Sequence, residues 1–561
     1  MDKALEMGKS SATGSFHLLI GVAGSTIIMA IGTIILGIIL PPEGLGLYGM
    51  ALIPSGIINF FRDWGVNSAL TQQIAGLKAA GKDAQIHDVI VSGVVFEIIS
   101  GAVLSLVCFA VAWPVALILS PKDVGSLSVY ISITSLSVFA GAILSAAGSI
   151  FVGFERMKFS SLTQILQAVV KTAFGPLLIV LGFGVLGAIY AATISIVAGS
   201  IIGILIVYFV LFRPLRKCKV GKCDVTQTLK PMLRFGLPLT MSGIAVGVLP
   251  LVFAFTMAAN AGTWMMGNYY AATYFSVLLT FISIPIATAL FPVFSKLNPQ
   301  KEPELVKRVF ATSVKYTALL LVPGTMAIIT LASPLLNTIF PSSGNLFQSF
   351  FVVIEGTKYP FGPLFLAFSS IVNLLVLAGN ISLGTFQTGI GKTNQVMWQS
   401  ILSLGVGLPL AVFLVPYLYP IGGASLVVVG GIVCALIATS PNVAWGLYWS
   451  WKNYKVTADF DASAKIFASS ALASLAAFLF ISFFSMRIPF GIILLGGFVV
   501  FLLVYLVAAP LLGAVNQMDI DNFRTMFSSL GVASKVLNVP LMFMRKLCRG
   551  NFKKKDSPDS P

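Results

Sequence analysis

The chain has 561 residues, of which 57% are hydrophobic and only 10% charged, with a formal net charge of +16. About a quarter of an ordinary soluble protein is charged, and so apolar a chain lacks the polar surface to cover itself in water, which excludes a soluble globular enzyme. There are two histidines, His17 and His87, and five cysteines. Histidine- or thiolate-based metal and catalytic centres therefore have little to draw on. Cys218 and Cys223 share a very basic loop, but their spacing is loose for a zinc knuckle and no nearby Cys or His completes a set.

In chain order, the apolar stretch from Phe16 to Leu40 is too long for the core of a signal peptide and is read as the first membrane crossing. Further spans are predicted at 45–70, 87–119, 126–152, 160–181, 185–212, 235–258, 265–294, 309–332, 361–388, 396–417, 422–450, 464–485 and 488–514. No Asp, Glu, Lys or Arg occurs from Phe235 to Ser295 or from Thr393 to Trp451. Each run suffices for two crossings of a hydrocarbon core about 30 Å thick, at roughly 20 residues per crossing. The predicted fold class is all-α: a polytopic membrane protein of about fourteen transmembrane helices. The expected organisation is an N-terminal six-helix lobe (1–214), a basic linker (215–234), a second six-helix lobe (235–455), helices 13 and 14 (456–515) and an amphipathic, basic tail (516–561).

Charge orients this arrangement. Fourteen crossings put both termini on one side. With that side cytoplasmic, the inner segments carry 30 Lys and Arg and the outer loops only Lys122, Lys358 and Arg487. Basic residues collect in cytoplasmic loops. The expectation is a multi-pass protein of the cell (plasma or inner) membrane with both termini cytoplasmic. The basic excess then reports topology, and nucleic acid is not an expected partner.

An internal repeat supports the two lobes. Gly153-Phe-Glu-Arg156, Ile165-Leu166 and Gly187-Ala188 recur 236 positions later as Gly389-Ile-Gly-Lys392, Ile401-Leu402 and Gly423-Ala424. Gly46-Leu-Tyr48 recurs as Gly267-Asn-Tyr269 at an offset of 221, and the difference fits the long connection from Ile339 to Phe361. Transporters are often built from such repeats.

The segment GLGLYGMALIPSGIINFFRDWGVNSALTQQIA (Gly44 to Ala75) resembles the first loop and second helix of polysaccharide and lipid-linked oligosaccharide flippases. LRFGLPLTMSG (Leu233 to Gly243) resembles the entry to their seventh helix. MGNYYAATYFSVLLTFISIPIATALFPVFSKL (Met266 to Leu297) resembles their eighth. The resemblance covers about residues 10 to 515 and extends to the superfamily that also holds the lipid II flippase and the multidrug and toxin extruders. It implies a transporter, usually monomeric, without a cofactor. Related flippases often carry an acidic residue midway along helix seven; here Val248 to Ala254 is wholly apolar, so no role of that residue carries over.

Charges inside a span cost roughly 2.5–3.5 kcal/mol each on insertion scales and mark functional positions. Four stand out: Arg62 and Asp63 on span 2, Glu97 on span 3 and Lys171 on span 5, all in the N-terminal lobe. Arg62 and Lys171 are the candidate substrate-binding residues, because Arg grips phosphate through paired hydrogen bonds and Lys offers a movable point charge. Asp63 and Glu97 are candidates for coupling to a proton or sodium ion, or for pairing with the cations. The structural alternative is that Arg62–Asp63 and Lys171–Glu97 merely join helices. Lys315, Glu155 and Arg156 are read as interfacial. Pro250, Pro285, Pro323, Pro409 and Pro416 lie within spans and suit bent, movable helices.

Three motifs are discounted. Gly389-Ile-Gly-Lys-Thr393 lacks the leading glycine of a phosphate-binding loop, since position 386 is Phe. Asp459-Phe-Asp461 and Asp519-Ile-Asp521 mimic glycosyltransferase metal pairs without a catalytic domain around them. The expected function is translocation of a polyprenyl-linked glycan or similar anionic lipid from the cytoplasmic to the outer leaflet by alternating access. The nearest rival is an ion-coupled drug or toxin extruder. A membrane-embedded glycan polymerase or ligase fits less well, because the outer loops are short.

Overall fold

Inside hydrocarbon every backbone N–H and C=O must be satisfied within its own segment, which restricts an apolar chain to helices or closed barrels. The computed structural model describes residues 2–215, 225–297, 299–340, 358–484, 488–527 and 538–548, and among these there are helices and no strand. Cys218 and Cys223, most of the Ile339–Phe361 connection, Arg487 and Lys553 to Lys555 lie outside the described residues.

In chain order the helices are α1 (Asp2–Ile39), α2 (Pro42–Phe60), α3 (Val66–Ala79), α4 (Asp83–Ala110), α5 (Ala112–Leu119), α6 (Val124–Gly153), α7 (Met157–Leu178) and α8 (Gly184–Ile206). There follow α9 (Val225–Lys296), α10 (Pro303–Ile339), α11 (Gly362–Ile371), α12 (Asn380–Gly389), α13 (Thr393–Pro409), α14 (Tyr419–Tyr454), α15 (Phe460–Phe484), α16 (Phe490–Leu511) and α17 (Gln517–Phe527). A last helical stretch covers 538–548.

Ten of the described helices are long and apolar enough to cross a membrane, or eleven if the pair Gly362–Ala378 and Asn380–Gly389, bent by 53°, makes one span. The structure therefore does not confirm the number fourteen. Two predicted spans can merge into one continuous helical run. Met157–Leu215 is one such run of 59 residues, interrupted at Gly182 by φ 97°. The 72-residue α9 is another, interrupted at Gly262 by φ 79° and ψ 170°. Predicted span 2 does the opposite. It is cut into α2 and α3 by a turn at residues 61–65, where Trp64 has φ 49° and Gly65 φ 75°. Arg62 and Asp63 thus sit in a break between two helices, not on a helix. The interruption in α9 likewise falls on Gly262 and not on Pro250.

The chain forms two compact units. The first comprises Met1–Val277 with Met397–Thr439, and the second Leu278–Val396 with Ser440–Pro561. Lipid tails are as apolar as leucine, so helices inside a membrane associate through close packing of small residues and through hydrogen bonds. The first unit shows both. Helix α2 runs antiparallel along α9, with glycine at each end of the seam. Gly46 lies against the Thr263 carbonyl and Gly267 against that of Pro42, while Gly65 and Gly236 meet backbone to backbone. Gly46 and Gly267 are the glycines that the sequence repeat pairs. Hydroxyls tie other helices together: Thr134 donates to Ala51 O at 3.1 Å, Ser105 to Ser135 O at 2.8 Å and Thr71 to Ser149 O at 3.1 Å. Below the α2–α3 break an apolar cluster joins Leu70 and Ile74 of α3, Ile86 and Ile90 of α4, Phe151 of α6 and Met232 of α9.

In the second unit Phe294, Phe310 and Phe386 form an edge-on aromatic cluster with centroids 5.4 and 5.5 Å apart about Phe386. A second core joins α10, α15 and α16 to the tail, with Ile520, Phe523, Met544 and Cys548 packed among Ala318, Ile466 and Tyr505. The tail is anchored by charge as well. Lys315 of α10 donates to Asp519 at 2.5 Å, with side-chain exposures of 15% and 7%. Asn516 and Asp519 also exchange backbone-to-side-chain hydrogen bonds at the start of α17, a reciprocal cap. Lys315 is thus the ion-pair partner of Asp519, and Asp519 also caps α17. Asp459 likewise caps α15 by accepting from Ala462 N at 3.0 Å.

Two outcomes follow from this packing. A Cβ on Gly267 would overlap the Pro42 carbonyl, and backbone cannot swing aside, so Gly267→Ala should cost about 1–3 kcal/mol and lower the melting temperature in detergent. Gly148→Ala, where a Cβ meets nothing within 4 Å, should leave it unchanged. Asp519→Leu should loosen the tail and expose it to protease, because it strands Lys315. The double change Lys315→Met/Asp519→Leu should recover most of the loss, since removing both partners of a buried pair is far milder than removing one.

Candidate functional site

The break between α2 and α3 places Arg62 against α4 and α6. Arg62 is 6% exposed and Glu97 wholly buried, and Arg62 Nη1 donates to Glu97 Oε2 at 2.7 Å. Arg62 Nη2 donates to Ser145 Oγ on α6 at 3.0 Å. The other oxygen of Glu97, Oε1, accepts from Asn67 Nδ2 at 2.8 Å. One carboxylate thus holds the first turn of α3 and the preceding break together, and Ser145 ties both to α6. Removing one partner from such a pair leaves a bare charge in a low-dielectric interior, at a cost of about 3–5 kcal/mol.

Asp63 has a separate, local task. Its Oδ1 accepts the Asn67 backbone N–H at 2.9 Å, satisfying one of the donors that the first turn of a helix leaves open. A carboxylate there also faces the positive end of the α3 dipole. Trp64, in its left-handed conformation, donates Nε1–H to Phe61 O at 2.7 Å and stays half-exposed, which fixes the shape of the turn.

The fourth predicted charge behaves differently. Lys171 lies half-buried on α7, and no ion pair or hydrogen bond engages it among the described residues. Its neighbour Thr172 turns towards α1 and donates to Ile28 O at 2.9 Å. The pairing of the four charges is therefore Arg62 with Glu97. Neither Arg62–Asp63 nor Lys171–Glu97 is an ion pair.

A cavity of about 420 Å³ opens beside the break, walled by Asn59, Phe60, Arg62, Asp63, Gly65, Asn67, Ser68 and Ser145, and by Thr240, Gly243 and Ile244 of α9. All of these residues belong to the first unit. Lys171 does not line it. Asn59, Asn67, Ser68, Ser145 and Thr240 were not singled out in the sequence. Neutral polar side chains are common in spans, and only their nearness to Arg62 sets these apart. Among the described residues no group of three or more His, Cys, Asp or Glu is placed to hold a metal ion.

Several known proteins share this fold. The lipid II flippase MurJ, in an inward closed conformation, superposes with a TM-score of 0.67 over 88% of this chain and 98% of its own, at 15% identity. An inward-facing multidrug resistance transporter of the MATE family and MOP superfamily superposes with a TM-score of 0.61 over 77% and 95%, at 18% identity. At these identities the likeness establishes a shared all-helical fold. In sequence, the stage V sporulation protein B of Bacillus subtilis (strain 168) is 26% identical over 384 residues, covering 63% of this chain and 71% of that protein. The family model for polysaccharide biosynthesis proteins matches residues 11–298, slightly more than half the chain and the part that holds the α2–α3 break, Glu97, Lys171 and α9, and the chain belongs to that family.

Proposed function

We propose that the protein is a flippase that moves a lipid-linked oligosaccharide, or a similar anionic glycolipid, from the cytoplasmic to the outer leaflet by alternating access. The observation that carries this reading is the interrupted helix at residues 61–65, which presents Arg62 and a polar cavity level with Glu97, midway along the apolar, span-length stretch Ala84–Ala110. Backbone that departs from a helix inside a membrane is tolerated where it lines a cavity, and broken helices mark transporter binding sites. Membership of a polysaccharide biosynthesis family supplies the substrate class, and the fold shared with a lipid II flippase supports the mode of action. Arg62 and Lys171 are the proposed substrate contacts. The lobes 1–214 and 235–455, read from the repeat, are the proposed moving bodies, and both termini face the cytoplasm of the cell membrane. The lipid tail stays in the bilayer while the headgroup crosses, and one copy of the chain suffices.

A drug-extruder reading draws on one specific observation. Arg62, Asp63 and Glu97 together carry one negative charge in excess when all are ionised, which suits a cationic cargo or a coupling proton or sodium ion bound at Asp63 or Glu97.

Reconstitution in proteoliposomes separates the two. Arg62→Gln/Glu97→Gln removes both members of the buried pair and so should keep the protein folded, whereas Glu97→Ala alone should lose about 3–5 kcal/mol of stability. The parent is expected to flip a fluorescent polyprenyl-pyrophosphate sugar. The double variant and Lys171→Gln should insert normally and flip it at least about tenfold more slowly. A parent that ignores this lipid and extrudes a cationic dye along a proton or sodium gradient would establish the extruder instead.

A further inference from the structure

We infer that the last helix, residues 538–548, is a lipid-binding element: its outer face enters the membrane surface and takes up anionic phospholipid, while its inner face holds it to the second unit. The inference is independent of the cargo that the protein carries. Two apolar runs place the helix at a boundary between hydrocarbon and water. No residue from Tyr316 to Ile339 in α10 is charged, and none from Ile488 to Met518, a run that contains α16. Lys315 and Asp519 are the charges that adjoin these two runs, and they pair with each other. Hydrocarbon excludes charge, so the pair marks one end of both spans. The last helix packs at this level. Leu541, Met544 and Cys548 join the core that holds Tyr316 and Ile520, and Cys548 Sγ donates to Val515 O at 3.5 Å.

That packing occupies one side of the helix. Val539, Met542, Phe543 and Lys546 follow the i, i+3, i+4, i+7 spacing of a single face and form the other side. Val539 is 70% exposed, Met542 53% and Phe543 44%. A helix that is apolar on both sides needs both covered. Level and charge identify what covers the outer one. At the end of a span, such a face sinks about 5–10 Å into the boundary between headgroups and acyl chains. The charges around it do not cancel. Lys315 is paired with Asp519, and Arg545 Nη2 lies 3.5 Å from Asp521 Oδ1. Arg524, in the last turn of α17, and Lys546 have no ion pair among the described residues. Two uncompensated cations beside an exposed apolar stripe complement anionic phospholipid, at about fivefold in affinity for each cation. A second copy of the chain would bring the same cations, and like charges oppose that contact.

The test places a fluorophore on the outer face. Met542→Cys is introduced into the full-length protein with Cys218 and Cys223 changed to serine; Cys108, Cys434 and Cys548 are buried, and the protein without the new thiol is the blank. The labelled protein is reconstituted in mixed phosphatidylcholine and phosphatidylglycerol. Each lipid in turn is supplied in brominated form as a quencher from within the membrane, and iodide serves as the quencher in water. Both lipids should quench the label and iodide should not. Phosphatidylglycerol should be preferred by about fivefold or more, and high salt should reduce that preference. Arg524→Gln/Lys546→Gln should bring the two lipids within about twofold of each other while leaving the melting temperature unchanged. Arg524→Lys/Lys546→Arg, which keeps both charges, should retain the preference. Three results overturn the inference. Quenching by iodide and by neither lipid puts the face in water. Equal quenching by the two lipids removes the selection for anionic headgroups. Protection from lipids and iodide alike puts a second copy of the chain on this face.

Discussion

The ion pair between Arg62 and Glu97 is the interaction on which the rest of the site depends. A helix crossing hydrocarbon has no reason to unwind, because each exposed backbone group goes unsatisfied. The turn at residues 61–65 is stable because it repays that cost locally. Asp63 takes up the Asn67 N–H, Trp64 takes up the Phe61 carbonyl, and Glu97 gathers Arg62 and the Asn67 amide from both sides of the break. Without Glu97 the break would carry an unpaired guanidinium. Without the break, Arg62 and Asp63 would be adjacent on one helix and Glu97 would lack its two donors. Each element makes sense only in the presence of the other.

The break also needs room, and glycine provides it. Gly65 and Gly236 meet where α2 ends and α9 begins its crossing, and Gly46 and Gly267 meet at the far end of the same seam. A side chain at any of these positions separates α2 from α9. The wall that Thr240, Gly243 and Ile244 contribute to the cavity would then retreat from Arg62 and Asn67. Close packing here fixes the cavity's width as well as the stability of the unit.

Much of this was legible in the sequence, for identifiable reasons. Apolar runs are readable because the hydrocarbon core has a fixed thickness, and intramembrane charges because insertion makes them expensive. The repeat marked Gly46 and Gly267 only as equivalent positions; that they lie against one another comes from the structure. Connectivity was less readable. Arg62 finds Glu97 rather than its neighbour Asp63 because the pairing depends on how α4 is rotated about its axis, which composition does not encode. Lys315 and Asp519 are 204 positions apart, and their pairing follows from the tail folding back onto α10. The number of spans blurred because Gly182 and Gly262 interrupt helices that otherwise run on. The neutral wall of the cavity left no mark in the sequence, since Asn59, Ser68 and Thr240 differ from other span residues only in what surrounds them.

That last point bears on how charge should be read in such proteins. An arginine in a span invites the assumption that it awaits a phosphate. Burial alters this, because a guanidinium with nothing beside it would not be retained in hydrocarbon without a carboxylate. The compensation of Arg62 is partial: Nη1 meets Glu97 and Nη2 meets Ser145, while Nε is buried without a hydrogen-bond partner among the described residues. Lys171 keeps its charge uncommitted because it is half-exposed and its long stem can move the ammonium towards water. Two cations of equal formal charge in one unit therefore differ in surroundings: the buried one is paired with Glu97 on the cavity wall, and the half-exposed one lies off that wall.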